Sequence, residues 1–357
     1  MKIATIVGAR PQFIKAAPVS EILRNNFQEI LIHTGQHYDD NMSRIFFDDL
    51  RIPRPDINLN VGSGRHAEQT GQMLVGIEKV LMHEKPDLVL VYGDTNSTFA
   101  AALSASKLHI PIAHVEAGLR SFNRRMPEEI NRILTDKIST FLFCPTGTSV
   151  KHLKNEGITG RICQVGDVMY DAALKFGRIS EKRSTIISKL SLKKGEYLLA
   201  TVHRPHSTDS VEHLTGIIEA FMECGEQIVF PIHPRTRGYL EKYALWDELD
   251  KCQRIRNIEP VSYLDMLMLE KHSKKILTDS GGIQKEAYFY QVPCITLRDE
   301  TEWVETVEDG WNTIVGTDKA GILRAIKEFN PASKQRALFG NGDASLKICQ
   351  ILTDSLK

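Results

Sequence analysis

Short apolar runs dominated by Val, Ile and Leu recur along the whole chain, and longer amphipathic stretches separate them. The runs fall at residues 3–7, 30–33, 88–92, 112–115, 141–144 and 162–165, and then at 197–202, 228–232, 255–258, 275–278 and 294–297. Helical periodicity fills the gaps, for example at 67–83, 97–108 and 127–139. Strands without polar alternation, each followed by a helix, belong to parallel sheets covered on both faces. Ten or more such strands exceed what one doubly wound sheet usually holds, and 357 residues at ~150 per domain suggest two domains. The expectation is an α/β chain of two Rossmann-like domains. The break is placed in the charged stretch after residue 165, giving 1–168 and 169–357, with a final helix at 344–356 that packs on either domain.

Charge narrows the partners. Lys and Arg number 45 and Asp and Glu number 45, so the net charge is zero, which argues against a coat for nucleic acid or an acidic membrane. The six cysteines (Cys144, Cys163, Cys224, Cys252, Cys294 and Cys349) have no zinc or redox spacing and read as reduced thiols of a cytosolic protein. The N-terminal run lacks a signal-peptide h-region, and no stretch approaches the ~20 apolar residues of a membrane span. A soluble cytoplasmic protein is expected.

In open parallel sheets, ligands bind beyond the carboxyl ends of the strands. The residues that follow each run are therefore the informative ones. They include Gly8-Ala9-Arg10, Gly93-Asp94, Glu116-Ala117-Gly118, His203-Arg204, His233-Pro234-Arg235, Asp279-Ser280-Gly281-Gly282 and Arg298-Asp299-Glu300-Thr301-Glu302. Any one of them is accounted for as a cap or turn residue, but acids, bases and cations at most tips of both halves are not. Ser280-Gly281-Gly282 opens a helix and would aim backbone N–H groups at a phosphate or diphosphate; the alternative is a plain turn with Ser280 as N-cap. Glu286, nearly two turns on, is placed to reach a ribose hydroxyl or is a solvated helix residue.

Gly8-Ala9-Arg10 is not a dinucleotide fingerprint, because Arg10 stands where the second glycine must be, and no P-loop motif occurs. Arg10 and Lys15 read instead as cations reaching toward an anion. Pro127 starts a helix whose first turn carries Glu128 and Glu129, where the dipole favours acids. Glu128 and Arg132, four apart, allow an ordinary helical ion pair; carboxylates converging on a cleft allow general acid–base work. The histidines have no metal-ligand spacing, and one at a strand tip is better read as a hydrogen-bond donor or proton relay.

The motifs GARPQFIKAAP (8–18), HTGQHYDDNM (33–42), VYGDTNST (91–98), HVEAGLRS (114–121), MPEEINRILTD (126–136), LTDSGGIQKEA (277–287) and GTD (316–318) occur in this order. Together they resemble the non-hydrolysing UDP-N-acetylglucosamine 2-epimerase family. The resemblance implies a GT-B type fold with UDP-sugar bound in a cleft between two Rossmann-like domains, a homodimer, and a C-terminal helix crossing back to the first domain. It implies anti elimination of UDP to a 2-acetamidoglucal and syn re-addition, with no metal or redox cofactor. Asp94, Glu116, Glu128 and His203 would take acid–base and positioning roles, supported by Arg132; which carboxylate removes the C2 proton stays open. Arg10, Lys15, Ser280, Gly281 and Gly282 would meet the diphosphate, Glu286 the ribose, and Pro260, Val261, Tyr263 and Met266 the uracil.

The chain departs from the family pattern at two places. Trp303, in Thr301-Glu302-Trp303-Val304-Glu305, replaces an arginine, and His206 stands where a glutamate is usual. The first departure also resembles the branch that epimerises UDP-2,3-diacetamido-2,3-dideoxyglucuronate for O-antigen. Gln36, His37, Arg65, Arg204 and His233 match parts of an allosteric UDP-GlcNAc site, although Asp39 stands where glutamine is common. A hydrolysing epimerase, a glycosyltransferase and a non-catalytic nucleotide-sugar-binding regulator are the rival classes.

Overall fold

The computed structural model describes residues 1–36, 47, 50 and 52–356, so His37 and Asp39 lie outside the described residues. The chain divides into two compact units, Met1–Lys175 with Ala337–Lys357, and Phe176–Arg336.

The first unit holds seven parallel strands: β1 Lys2–Val7, β2 Gln28–His33, β3 Ile57–Asn58, β4 Leu88–Tyr92, β5 Ile112–Val115, β6 Phe141–Cys144 and β7 Arg161–Gln164. Their order is β3-β2-β1-β4-β5-β6-β7. β4 is buried along its whole length, as a strand covered on both faces must be. Met73, Ile77 and Leu81 recur every four residues on helix His66–Glu84. They pack with Ala100, Ala101 and Ala105 of helix Asn96–Lys107 against Ala4, Ile6, Val89 and Val91. Each large apolar side chain so buried contributes roughly 1.5–3 kcal/mol. Lys85, left-handed at φ 47°, ends the longer helix. Helix Ala344–Ser355 lies on helix Arg10–Leu23 and buries Ile348, Cys349 and Leu352. Its first turn is fixed by Asp171, which accepts the amides of Ala344 (3.2 Å) and Ser345 (2.7 Å).

The second unit holds β8 Leu198–Thr201, β9 Ile228–Pro231, β10 Ile255–Ile258, β11 Lys275–Thr278, β12 Cys294–Thr296 and β13 Asn312–Ile314. All are parallel, in the order β10-β9-β8-β11-β12-β13. Leu214, Ile217, Ile218 and Phe221 of helix Val211–Glu223 cover one face with Ile322 and Ile326. Leu269, Ala287, Ile186 and Leu190 cover the other.

Two strands have no counterpart among the apolar runs of the sequence. β3 is two residues long, and β13 places the polar Asn312 at a buried position, so neither shows a period. Asn312 is satisfied there by Gln284 (3.3 Å) and Thr306 (3.1 Å).

The strand orders fix where chemistry is accessible. In the first unit the winding reverses between β1 and β4, and in the second between β8 and β11. At such a switch point the two outgoing loops diverge and leave a crevice beyond the strand ends. The first pair of loops carries Gly8-Ala9-Arg10 and Gly93-Asp94; the second carries His203-Arg204 and Asp279-Ser280.

Candidate active site

In the first unit, Gln12 shapes the β1 loop. Its Oε1 accepts the amides of Gly8 (2.8 Å) and Ala9 (3.0 Å), while its Nε2 donates to the Tyr92 carbonyl (2.8 Å) and to Thr98 Oγ1 (2.9 Å). One buried amide thus ties the first loop to the end of β4. Arg10 is half-buried at the start of its helix, and one turn further Lys15 forms an ion pair with Glu116.

Glu116 is buried at the tip of β5, with a left-handed backbone at φ 74°, a costly conformation for a residue with a Cβ. Its amide and that of Ala117 both donate to the Phe143 carbonyl at 3.1 Å, which turns the chain there. Gly93, at φ 63°, sits against the pair: a Cβ on it would lie 3.1 Å from Lys15 Nζ and 3.2 Å from Glu116 Oε2. Both the left-handed backbone and the tight space favour glycine there.

Asp94 follows directly and is bound by the guanidinium of Arg132. Arg132 reaches it from helix Pro127–Ile138 and also binds Glu129 at 3.0 Å. Glu129 is 1 % exposed and accepts the amides of Ser121 (3.0 Å) and Phe122 (2.9 Å), so it anchors the 121–122 turn as well. Arg132 therefore pairs with Glu129, three residues back, rather than with Glu128. Glu128 is half-buried one position nearer the helix start. Asn131 completes the cluster by donating to the Asp94 carbonyl (3.0 Å). Gln36 lies close by and accepts from Ser97 Oγ at 2.7 Å, whereas Arg65 is exposed at the start of helix His66–Glu84.

In the second unit, buried Asp279 organises the switch point. It accepts the amides of His203 (2.9 Å) and Arg204 (2.8 Å), and His203 Nδ1 lies 3.4 Å from its carboxylate. Burial lowers the His203 pKa and Arg204 adds to that, while Asp279 opposes both. The ring is thus mostly neutral at pH 7, with Nε2 turned away from Asp279. The ring of His233, an exposed N-cap on β9's loop, stands 5.6 Å from that of His203.

Ser280 is the N-cap of helix Gly281–Phe289, its Oγ accepting the Ile283 amide, so the capping role is filled. The same helix start is also a meeting point. A Cβ on Gly281 would lie 3.4 Å from Trp303 Nε1, 3.5 Å from Glu302 Oε2 and 3.9 Å from Arg204. Gly282 is exposed beside it. Burial would raise the Glu302 pKa, but Arg298, bonded at 3.0 and 3.2 Å, holds it below the usual carboxylate range. Lys285, itself buried, sits 4.0 Å from the Trp303 ring centroid, a close cation–π contact.

Glu286 is 4 % exposed rather than solvated, and it accepts a hydrogen bond from the Tyr263 hydroxyl at 2.7 Å. Val261 and Met266 pack near that phenol's helix, and Pro260 is exposed ahead of it. Among the described residues no group of three His, Cys, Asp or Glu is arranged to hold a metal ion. Nor is any helix among them long and apolar enough to cross a membrane.

Residues 21–353 match the family model described as UDP-N-acetylglucosamine 2-epimerase. The chain belongs to that family. A protein of Methanococcus maripaludis named UDP-N-acetylglucosamine 2-epimerase homolog is 60 % identical, over 99 % of both chains. The UDP-2,3-diacetamido-2,3-dideoxy-D-glucuronate 2-epimerase of Pseudomonas aeruginosa is 50 % identical, again over 99 % of both. Among solved structures, UDP-GlcNAc 2-epimerase of Methanocaldococcus jannaschii in complex with UDP-GlcNAc and UDP is 48 % identical, with a TM-score of 0.92 over 99 % of this chain and 100 % of that one. The family's two parallel-sheet, GT-B-like domains are present here as the seven- and six-stranded units.

Reading residue by residue, the strand tips led to Asp94, Glu116, His203, Ser280 and Gly281. Glu129, Asp279 and Glu302 stand among those strand-tip and first-turn residues without a site role, and Gln12 has no local signal, because each is buried and holds another residue in place. The signal for Glu129 was its place beside Glu128 in a proline-started first turn; nothing short of the fold says which of the two faces inward.

Proposed function

We propose that the protein inverts C2 of a UDP-2-acetamido sugar, interconverting UDP-GlcNAc and UDP-ManNAc. The observation that carries this is the acid–base cluster at the first switch point: Asp94 held by Arg132, and Glu116 held by Lys15, both against the Gly93 turn. In this reading a base takes the C2 proton while the C1–O bond breaks and UDP leaves with the bonding electrons. The 2-acetamidoglucal is then attacked at C1 by the UDP oxygen as C2 receives a proton on the opposite face. Two protonatable groups are needed, with cations for the departing diphosphate.

Asp94, Glu116 and Glu128 supply the acid–base set, Arg132 and Lys15 tune it, and His203, mostly neutral, serves as a proton relay. Arg10, Ser280, Gly281 and Gly282 take the diphosphate, Glu286 the ribose, and Pro260, Val261, Tyr263 and Met266 the base. No cofactor enters this chemistry. The residues Gln36, Arg65, Arg204 and His233 are assigned to a second, activating UDP-GlcNAc. We further infer a cytoplasmic homodimer that supplies a surface polysaccharide.

A second substrate has its own support. The 50 % identical relative is named for the 2,3-diacetamido uronate, and buried Trp303 occupies the place of an arginine at the Gly281 helix start. Incubation with UDP-GlcNAc in D2O, followed by proton NMR at C2, separates the readings. Deuterium at C2 together with UDP-ManNAc is the expected result. Free ManNAc and UDP would replace it with a hydrolysing reaction. Exchange only with the diacetamido uronate would move the assignment to that sugar.

A further inference from the structure

His114 lies in the middle of β5 and is fully buried. Both of its ring nitrogens are engaged: Nδ1 stands 2.8 Å from Asp136 Oδ1, and Nε2 stands 2.8 Å from the Gly93 carbonyl oxygen. A carbonyl oxygen has only lone pairs to offer, so Nε2 must carry a hydrogen. Asp136 is ringed by donors, because its other oxygen accepts the Gly118 amide (3.2 Å) and Arg120 (2.7 Å). Asp136 is thus fixed by its own donors, and it in turn sets the plane of the His114 ring.

Arg120 also forks onto Glu156 at 2.7 Å for each contact, so the row runs Glu156, Arg120, Asp136, His114.

We propose that His114 is a positioning residue that clamps the Gly93 carbonyl and so fixes the turn that presents Asp94. Gly93 is held from two sides. Its amide donates to the Val115 carbonyl (3.0 Å), its carbonyl takes the His114 N–H, and its open α-carbon faces the Lys15–Glu116 pair. Rotation of the 93–94 peptide would move the Asp94 carboxylate away from Arg132. The consequence for turnover rests on the proposed epimerase reading; the hydrogen bond to Gly93 does not.

The test has two arms on the full-length chain. In the first, histidine is labelled with 15N. One of the twelve histidines should show a ring N–H protected from solvent exchange, and that signal should vanish in His114→Gln. A spectrum with no protected ring N–H overturns the proposal, and this measurement needs only the unmodified protein. In the second arm, His114→Gln is assayed with UDP-GlcNAc. The expected result is a kcat lower by roughly 10- to 100-fold with KM changed by no more than about twofold, as for a misplaced reacting group. Unchanged kcat in a folded variant removes His114 from the positioning role. If the unmodified enzyme itself gives no C2 exchange, it is the epimerase reading that fails, and the NMR arm still decides the hydrogen bond to Gly93.

Discussion

Two glutamates stand side by side at the start of helix Pro127–Ile138, and the helical turn sends them to different places. Glu129 goes inward to Arg132 and the 121–122 amides, while Glu128 stays half-buried and available. Glu129→Gln should therefore act at a distance. Loss of the charge-assisted bonds is expected to cost about 2 kcal/mol in urea unfolding, and turnover should fall because Arg132 no longer holds Asp94 in one place. Glu128→Gln should lower turnover while leaving stability nearly unchanged, and a variant with full kcat would strike Glu128 from the acid–base set. A third glutamate behaves differently again. Glu270 is fully buried, with no hydrogen-bond partner for either oxygen among the described residues, and burial and then the neighbouring Glu286 push its pKa well above the ordinary value. A raised acid binds its proton more tightly folded than unfolded, so this group's contribution to stability is fully present at low pH. It is lost as pH rises above the unfolded value of about 4.3, by up to ~1.4 kcal/mol per pH unit. Glu270→Gln should be the more stable protein at pH 7.5 and show a flatter pH dependence; equal slopes in urea titrations at pH 5 and 7.5 would contradict this.

At the scale of elements, the proposed site is carried by loops at two switch points and the helices they open. Gly281 gives a test in which two effects separate. A methyl group there makes only ordinary contact with Trp303 and Glu302, so Gly281→Ala should fold with the same or slightly higher stability, by about 0.4–1 kcal/mol. The same methyl crowds the helix start, so UDP should bind more weakly in calorimetry. Unchanged UDP affinity would detach the diphosphate from this helix. The elements were legible in the sequence where a short run rich in β-branched residues met a helical period, and most observed strand ends fall within one residue of the runs. β3 and β13 were not, since two or three residues carry no period. Asp94 and Glu116 were legible because they sit at strand ends. Their partners were not: Lys15 and Glu116 are 101 residues apart, and helix phase relative to the sheet is decided by packing rather than by local spacing.

For the whole molecule, the informative feature is that the first unit is made of two separated stretches of chain. Residues after Arg336 return to it, with Phe339 accepting the Asp167 amide at 2.9 Å and Ile348 and Leu352 buried on helix Arg10–Leu23. Leu352→Ala should cost about 2–5 kcal/mol. The loss should appear as earlier unfolding of the first unit in native-state hydrogen exchange, while protection of β8 and β11 is retained. Ribosomes deliver a chain from its amino end, and domains usually fold in that order. Here the order is reversed in its completion. The 161 residues of Phe176–Arg336 emerge and can close their own sheet while the earlier half still lacks the helix that covers Ile22 and Leu23. The half that carries Asp94 and Glu116 begins first and is finished last, so a nascent chain can close its six-stranded unit before its seven-stranded one is complete.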